Sequence, residues 1–196
     1  MFITPFEILD MIIMIAVIGF IFMKAFKNPA LPKYGEEIDR YLKKNRFGFE
    51  WHDFLYAAMV TAPAILLHEL GHKIVALSFG LTATFHAAYT WLLIGVVLRL
   101  INFPFIFFVP AYVSISGGAT TIQTVWTAFA GPGVNLVLFL AALIVLKSQK
   151  KIKPNTFQFW NLTKNINMFL FIFNMIPIPG FDGFTVFSSL WKIIGL

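Results

Sequence analysis

FLYAAMVTAPAILLHELGHKIVALSF, residues 54–79, decides the reading of the whole chain. Its length and apolar content suit a helix crossing a hydrocarbon core of roughly 30 Å, with Pro63 tolerated as a kink. Within it stand His68, Glu69, His72 and Lys73. Ionisable side chains at that depth cost on the order of 2.5–3.5 kcal/mol each, so a cluster of them is expected to carry function. Helix positions i and i+4 share a face, so His68 and His72 can turn two imidazole nitrogens toward one metal ion while Glu69 lies alongside. This is the H-E-x-x-H arrangement. Lys73 is expected to be incidental, its long stem snorkelling toward an interface.

Of the 196 residues, 59% are hydrophobic, 12% are charged and 24 are Phe, which leaves too few charges to cover a soluble surface. Lipid must cover it instead, and the lipid bilayer is the first partner expected. The net charge of +6 comes mostly from two short stretches between apolar runs rather than from a basic face interleaved with aromatics. Those stretches read as interfacial anchors and topology signals, so neither nucleic acid nor nucleotide is expected as a partner. With no cysteine, any metal must be held by His, Asp or Glu. The opening MFITPFEILDMIIMIAVIGFIFMKAF lacks a basic start and a clear cleavage site, and carries Glu7 and Asp10. It reads as a retained transmembrane anchor rather than a signal peptide.

Along the chain, residues 5–25 form the first span. Residues 26–53 form a polar connector with an amphipathic helix in GEEIDRYLKKNRFG, supported by the pairs Glu36–Arg40 and Asp39–Lys43. After the second span, Gly80 is a stop. HAAYTWLLIGVVLRLINF, residues 86–103, suggests a short spanning or re-entrant helix interrupted by Arg99, and FVPAYVSISGG, residues 108–118, alternates in part like a strand. Residues 121–146 make a further span, broken by AGPGVN at 130–135 and closed by KSQKKIK at 147–153. The last long apolar run, residues 157–178, leads into NMIPIPGFDG at 174–183, and residues 184–196 complete the chain. The expected fold is an all-α polytopic membrane protein. About five or six transmembrane or re-entrant helices surround a three-helix catalytic core, with a small membrane-associated strand region in 103–118. Residues 1–53 form an anchor and connector, and residues 54–196 form the core.

Two histidines do not complete a catalytic zinc site, which usually takes three protein ligands and a water. Glu7 and Asp10 belong to the anchor and the acidic residues of 36–53 to the connector, whereas Asp182 is the only acidic residue after Glu69. Asp182 is therefore the candidate third ligand, at the carboxyl end of the last long run. Parallel placement of that run and the second span would bring His68, His72 and Asp182 to one level. The span between them would then run antiparallel and carry AGPGVN there too. With zinc on these three residues, Glu69 is placed to take a proton from water and pass it to a leaving amine, which is metal-assisted hydrolysis, most simply of a peptide bond. His86 lies outside the motif and reads as structural or solvent-facing.

HELGH at 68–72 inside a span, then AGPGVN, then NMIPIPGFDG about a hundred residues on, resembles the ordered motifs of the site-2 protease family. These are the intramembrane zinc metalloproteases of peptidase family M50. The resemblance covers roughly residues 54–190. It implies one zinc per chain on His68, His72 and Asp182, and a catalytic Glu69. Asn135 would lie by the active site and help hold substrate, and Asn174 would shape the turn before Asp182. It implies cleavage of transmembrane segments of other membrane proteins by a multi-pass protein of the cell membrane, its site nearer the cytoplasmic face. Positive charges at 24–46 and 147–153 point the other way, with those loops cytoplasmic and the zinc nearer the outer side. FVPAYVSISGG could offer a strand edge to an unwound substrate. The rivals are a zinc-binding relative that holds client transmembrane helices without cutting them, and a zinc transporter. Glu69 speaks against the first, and the scarcity of other polar residues in the spans against the second.

Overall fold

A computed structural model describes residues 2–27, 49–103, 109–149, 151 and 153–195. The described elements are α1 (Pro5–Phe22), α2 (Trp51–Ser78), β1 (Thr82–Ala87), α3 (Tyr89–Leu100), β2 (Ala111–Ser116), α4 (Thr121–Ser148), α5 (Pro154–Asn174) and α6 (Asp182–Ile194). The amphipathic helix expected at 35–48 lies outside the described residues.

The helix starts are written locally. Thr4 with Glu7, and Thr120 with Gln123, form reciprocal capping boxes at α1 and α4, and Pro5 and Pro154 occupy first-turn positions. α2 ends where Gly80 takes φ +75°. There the Gly80 N–H bonds to Leu77 O and the Leu81 N–H to Ala76 O, a Schellman closure with Leu81 packed on Ala76. α1, α2 and α4 are each long and apolar enough to cross a membrane, and α3 is a shorter apolar helix. α5 has the length, but Asn, Gln, Thr and Lys along it lower its apolar character.

α4 is the hub, packing against α2, α5 and α6, while α1 packs on α2, β1 and α3. Residues 68 and 72 of α2 meet residues 135 and 127 of α4, so these two helices run antiparallel. β1 and β2 form an antiparallel pair in the register Thr82↔Ser116 through Ala87↔Ala111. A buried cluster of Met14, Ile18, Phe85, Ala87, Leu92 and Ala111 locks that hairpin to α1 and α3.

Three expectations are corrected. α4 runs unbroken through AGPGVN, with Pro132 inside the helix. Away from water nothing competes for the remaining backbone bonds, so a helix survives a Gly-Pro-Gly that would end it in a soluble protein. The described residues of 81–118 hold two strands rather than one. β1 was not expected, because TATFHA is short and its partner lies beyond an intervening helix. Asp182 does not close the last long helix. α5 ends at Asn174, a turn follows, and Asp182 opens α6. Pro177 and Pro179 cannot continue a helix, and Gly180 turns the chain at φ +99°.

Candidate metal centre

α2 presents His68, Glu69 and His72 from its carboxyl-terminal half, at 7%, 8% and 8% exposure. α6 brings Asp182 to them. His68 Nε2 and His72 Nε2 stand 3.1 Å apart, and Asp182 Oδ2 lies 3.2 Å from the first and 3.4 Å from the second. Among the described residues, these three form the one group of three or more potential metal-ligating side chains.

The hydrogen bonds on the far side of each ring fix which nitrogens face inward. His72 Nδ1 lies 2.7 Å from the Thr127 carbonyl. A carbonyl only accepts, so Nδ1 carries the proton and Nε2 turns its lone pair inward. His68 Nδ1 lies 2.6 Å from Asn135 Oδ1. The amide of Asn135 is oriented by its own donors, since Nδ2 donates to Ala64 O and to Asn167 Oδ1, each at 2.9 Å. Asn167 in turn donates to Thr163 O at 2.8 Å. This chain of bonds runs one way, from His68 through Asn135 and Asn167 to a backbone carbonyl of α5. It leaves His68 Nε2 as a second inward lone pair, and a carboxylate oxygen supplies the third.

Three acceptors at such separations repel one another unless a cation lies among them. A tetrahedral zinc with bonds of about 2.0–2.1 Å places its ligand atoms roughly 3.3 Å apart, which is the size of the triangle found here. His68, His72 and Asp182 therefore fit a zinc ion. The space for its approach is kept by backbone. A Cβ on Gly131 would overlap the rings of both histidines, and one on Gly71 would come within 2.9 Å of Ala130 O and of Val134 Cγ2.

Glu69 makes no hydrogen bond to another described residue, and it lines a cavity of about 800 Å³ together with His68, His72 and Asp182. Tyr112, Val113 and Ile115 of β2 line the same cavity, as do Phe173 and Asn174 of α5. Asn174 thus shares the cavity with the centre, at the end of the helix that precedes the turn to Asp182. Asn135 is wholly buried behind His68 and does not line the cavity.

Sequence reasoning missed three participants. Asn167 is 1% exposed and completes the chain behind His68. Its only signal was an amide inside an apolar helix. Thr127 contributes through its carbonyl, which no residue type reveals. Lys73 is not incidental: it is 1% exposed and ion-paired with Glu7 of α1. The ammonium is buried rather than turned out to an interface, and its charge is matched by Glu7 inside the protein. His86 sits on β1, with Nδ1 3.9 Å from Asp10 Oδ2, away from the centre.

Two inward-facing histidines on one turn of a membrane-type helix, a carboxylate from another helix and a free glutamate beside them define a membrane metallohydrolase of the H-E-x-x-H class. Comparison with known proteins agrees. Residues 56–195 match peptidase family M50, and the chain belongs to that family of metalloproteases. It is 33% identical over 149 residues to "Putative zinc metalloprotease MJ0611" of Methanocaldococcus jannaschii, covering 73% of this chain and 76% of that one. It is 30% identical over 171 residues to "Putative zinc metalloprotease sll0528" of the cyanobacterium Synechocystis, covering 83% of this chain and 38% of that longer protein. No solved structure gives a significant match.

Proposed function

We propose that the protein is an intramembrane endopeptidase that binds one zinc ion per chain and hydrolyses peptide bonds in or near transmembrane segments of other membrane proteins. The observation that carries this reading is the convergence of two Nε2 lone pairs, from a helix of membrane character, and one carboxylate oxygen beside Glu69, in a cavity large enough for a peptide segment. The protein would be multi-pass and reside in the cell membrane.

His68, His72 and Asp182 would hold the zinc. When bound there, zinc supplies Lewis acidity, making water a better nucleophile and a carbonyl a better electrophile. Glu69 takes the proton from the attacking water on its carboxylate and delivers it to the leaving amide nitrogen as the C–N bond breaks. Asn135 and Thr127 keep the imidazoles from rotating, so their lone pairs stay aimed. Asn135 therefore acts behind a ligand rather than on the substrate. Asn174 faces the cavity, where its amide can bond an extended peptide.

A transmembrane helix hides its carbonyls in its own hydrogen bonds and has to unwind before it can be cut. β2 lines the cavity and is largely exposed, and Val113 and Ile115 make no backbone hydrogen bond outside the hairpin to another described residue. Its outer edge can receive the unwound segment as an added strand.

The test is elemental analysis of the purified protein beside cleavage of a model transmembrane substrate. About one zinc per chain is expected in the wild type, lost with activity in His68→Ala and Asp182→Ala. Glu69→Gln should keep its zinc and lose cleavage. A Glu69→Gln variant that cut at the wild-type rate would remove the general base from the scheme. Bound zinc without cleavage of any substrate would turn the reading to a client-binding protein.

A further inference from the structure

Glu7 and Asp10 stand one turn apart on α1, and both carboxylates are turned onto β1. Glu7 is 2% exposed. Its Oε1 accepts from the Phe85 N–H at 2.7 Å and from Lys73 Nζ, and its Oε2 from the Thr4 N–H at 2.8 Å. Asp10 Oδ2 accepts from the Ala87 N–H at 3.1 Å, and Oδ1 accepts from the Tyr89 hydroxyl. Phe85 and Ala87 are two residues apart on one strand, so their N–H groups leave by the same edge, the edge away from β2. The register pairs Phe85 with Val113 and Ala83 with Ile115. The same alternation then turns the backbone groups of Val113 and Ile115 to the outer edge of β2, beside the cavity.

We propose that Glu7 and Asp10 are positioning residues that stand in for a third strand. They close the outer edge of β1, leave the outer edge of β2 open to an extended substrate, and set the height of the hairpin against the metal ligands. Two open edges would offer an unwound segment two places to pair, only one of them beside the zinc site. Lys73 follows His72 directly in α2, so Glu7 Oε1 joins the metal-binding turn to β1 through one atom. A hairpin displaced along α1 would bring a different substrate carbonyl to Glu69.

This inference rests on the proteolytic reading above, and its test separates the two. Full-length wild type, Asp10→Ala, Asp10→Asn and Glu7→Gln are compared in detergent for zinc content, amide hydrogen exchange, KM, kcat and cleavage position on one transmembrane substrate. In Asp10→Ala we expect exchange over residues 82–87 to rise about tenfold, the effect of losing a charge-assisted hydrogen bond. Zinc content should not change, KM should rise about fivefold with kcat near wild type, and new products should appear one or two residues from the main cut. Asp10→Asn keeps one acceptor oxygen and should fall between. Unchanged exchange and an unchanged product pattern in both Asp10 variants would overturn the proposal, as would loss of zinc together with kcat. If the wild type cleaves nothing, the proteolytic reading fails, and the exchange measurement still decides whether the carboxylates close the strand.

Discussion

The tautomers of His68 and His72 are set by atoms that never touch a metal. Thr127 O holds one ring by a backbone carbonyl, which no substitution at 127 removes, whereas Asn135 holds the other by a side chain. Asn135→Ala should therefore weaken zinc binding by roughly 10–100-fold, as is usual when a partner behind a ligating histidine is lost. Zinc titration against a competing chelator would read this directly. Asn167→Ala is expected to act in the same direction and more weakly, since it frees the Asn135 amide to rotate. Gly131→Ala should abolish zinc binding while leaving α4 helical, because its methyl group would occupy the space of both imidazoles. Normal zinc content in that variant would show that α2 and α4 can separate there. The H-E-x-x-H residues were legible in the sequence because their spacing is local to one helix. Asn135 was named through a family likeness as a residue beside the substrate, and its place behind His68 became visible only when α4 was set against α2.

Elements differ in how much of themselves they announce. α1, α2 and α4 declared themselves by long apolar runs, whereas the capping boxes that start α1 and α4 were recognised only in the structure. β1 did not, because a six-residue strand has no identity until β2 closes on it across α3. The paired strands lead to a prediction at their own scale. Val113→Pro removes a backbone donor from the open edge of β2 and should lower cleavage of a transmembrane substrate by about tenfold or more. Tyr112→Pro removes a donor that faces β1 and should also loosen the hairpin. Exchange rates over 82–87 distinguish them, rising in Tyr112→Pro and not in Val113→Pro. Equal cleavage by Val113→Pro and the wild type would exclude edge pairing with substrate.

At the scale of the molecule, the centre joins α2 to α6 across α4, so a metal held there would tie together segments more than a hundred residues apart. Zinc should stabilise the fold by about 2.7 kcal/mol when free zinc is a hundred times its dissociation constant. Chelation should lower the unfolding midpoint correspondingly, and Asp182→Ala should lose that dependence on zinc. A midpoint indifferent to chelator in the wild type would mean that the three ligands do not share an ion. What the sequence determined by itself was chemistry of short range. It set a chain rich in apolar spans, a histidine pair on one helical face, a glutamate between them, and a lone aspartate downstream as the candidate third ligand. The tertiary structure alone decided which polar groups answer one another across the core. Glu7 with Lys73, Asp10 with β1, and Asn135 with His68 and Asn167 are pairings separated by 32 to 77 residues. Local pattern records only that each such group is costly in an apolar setting. Which partner removes that cost depends on helix packing, and packing is fixed by the whole chain at once.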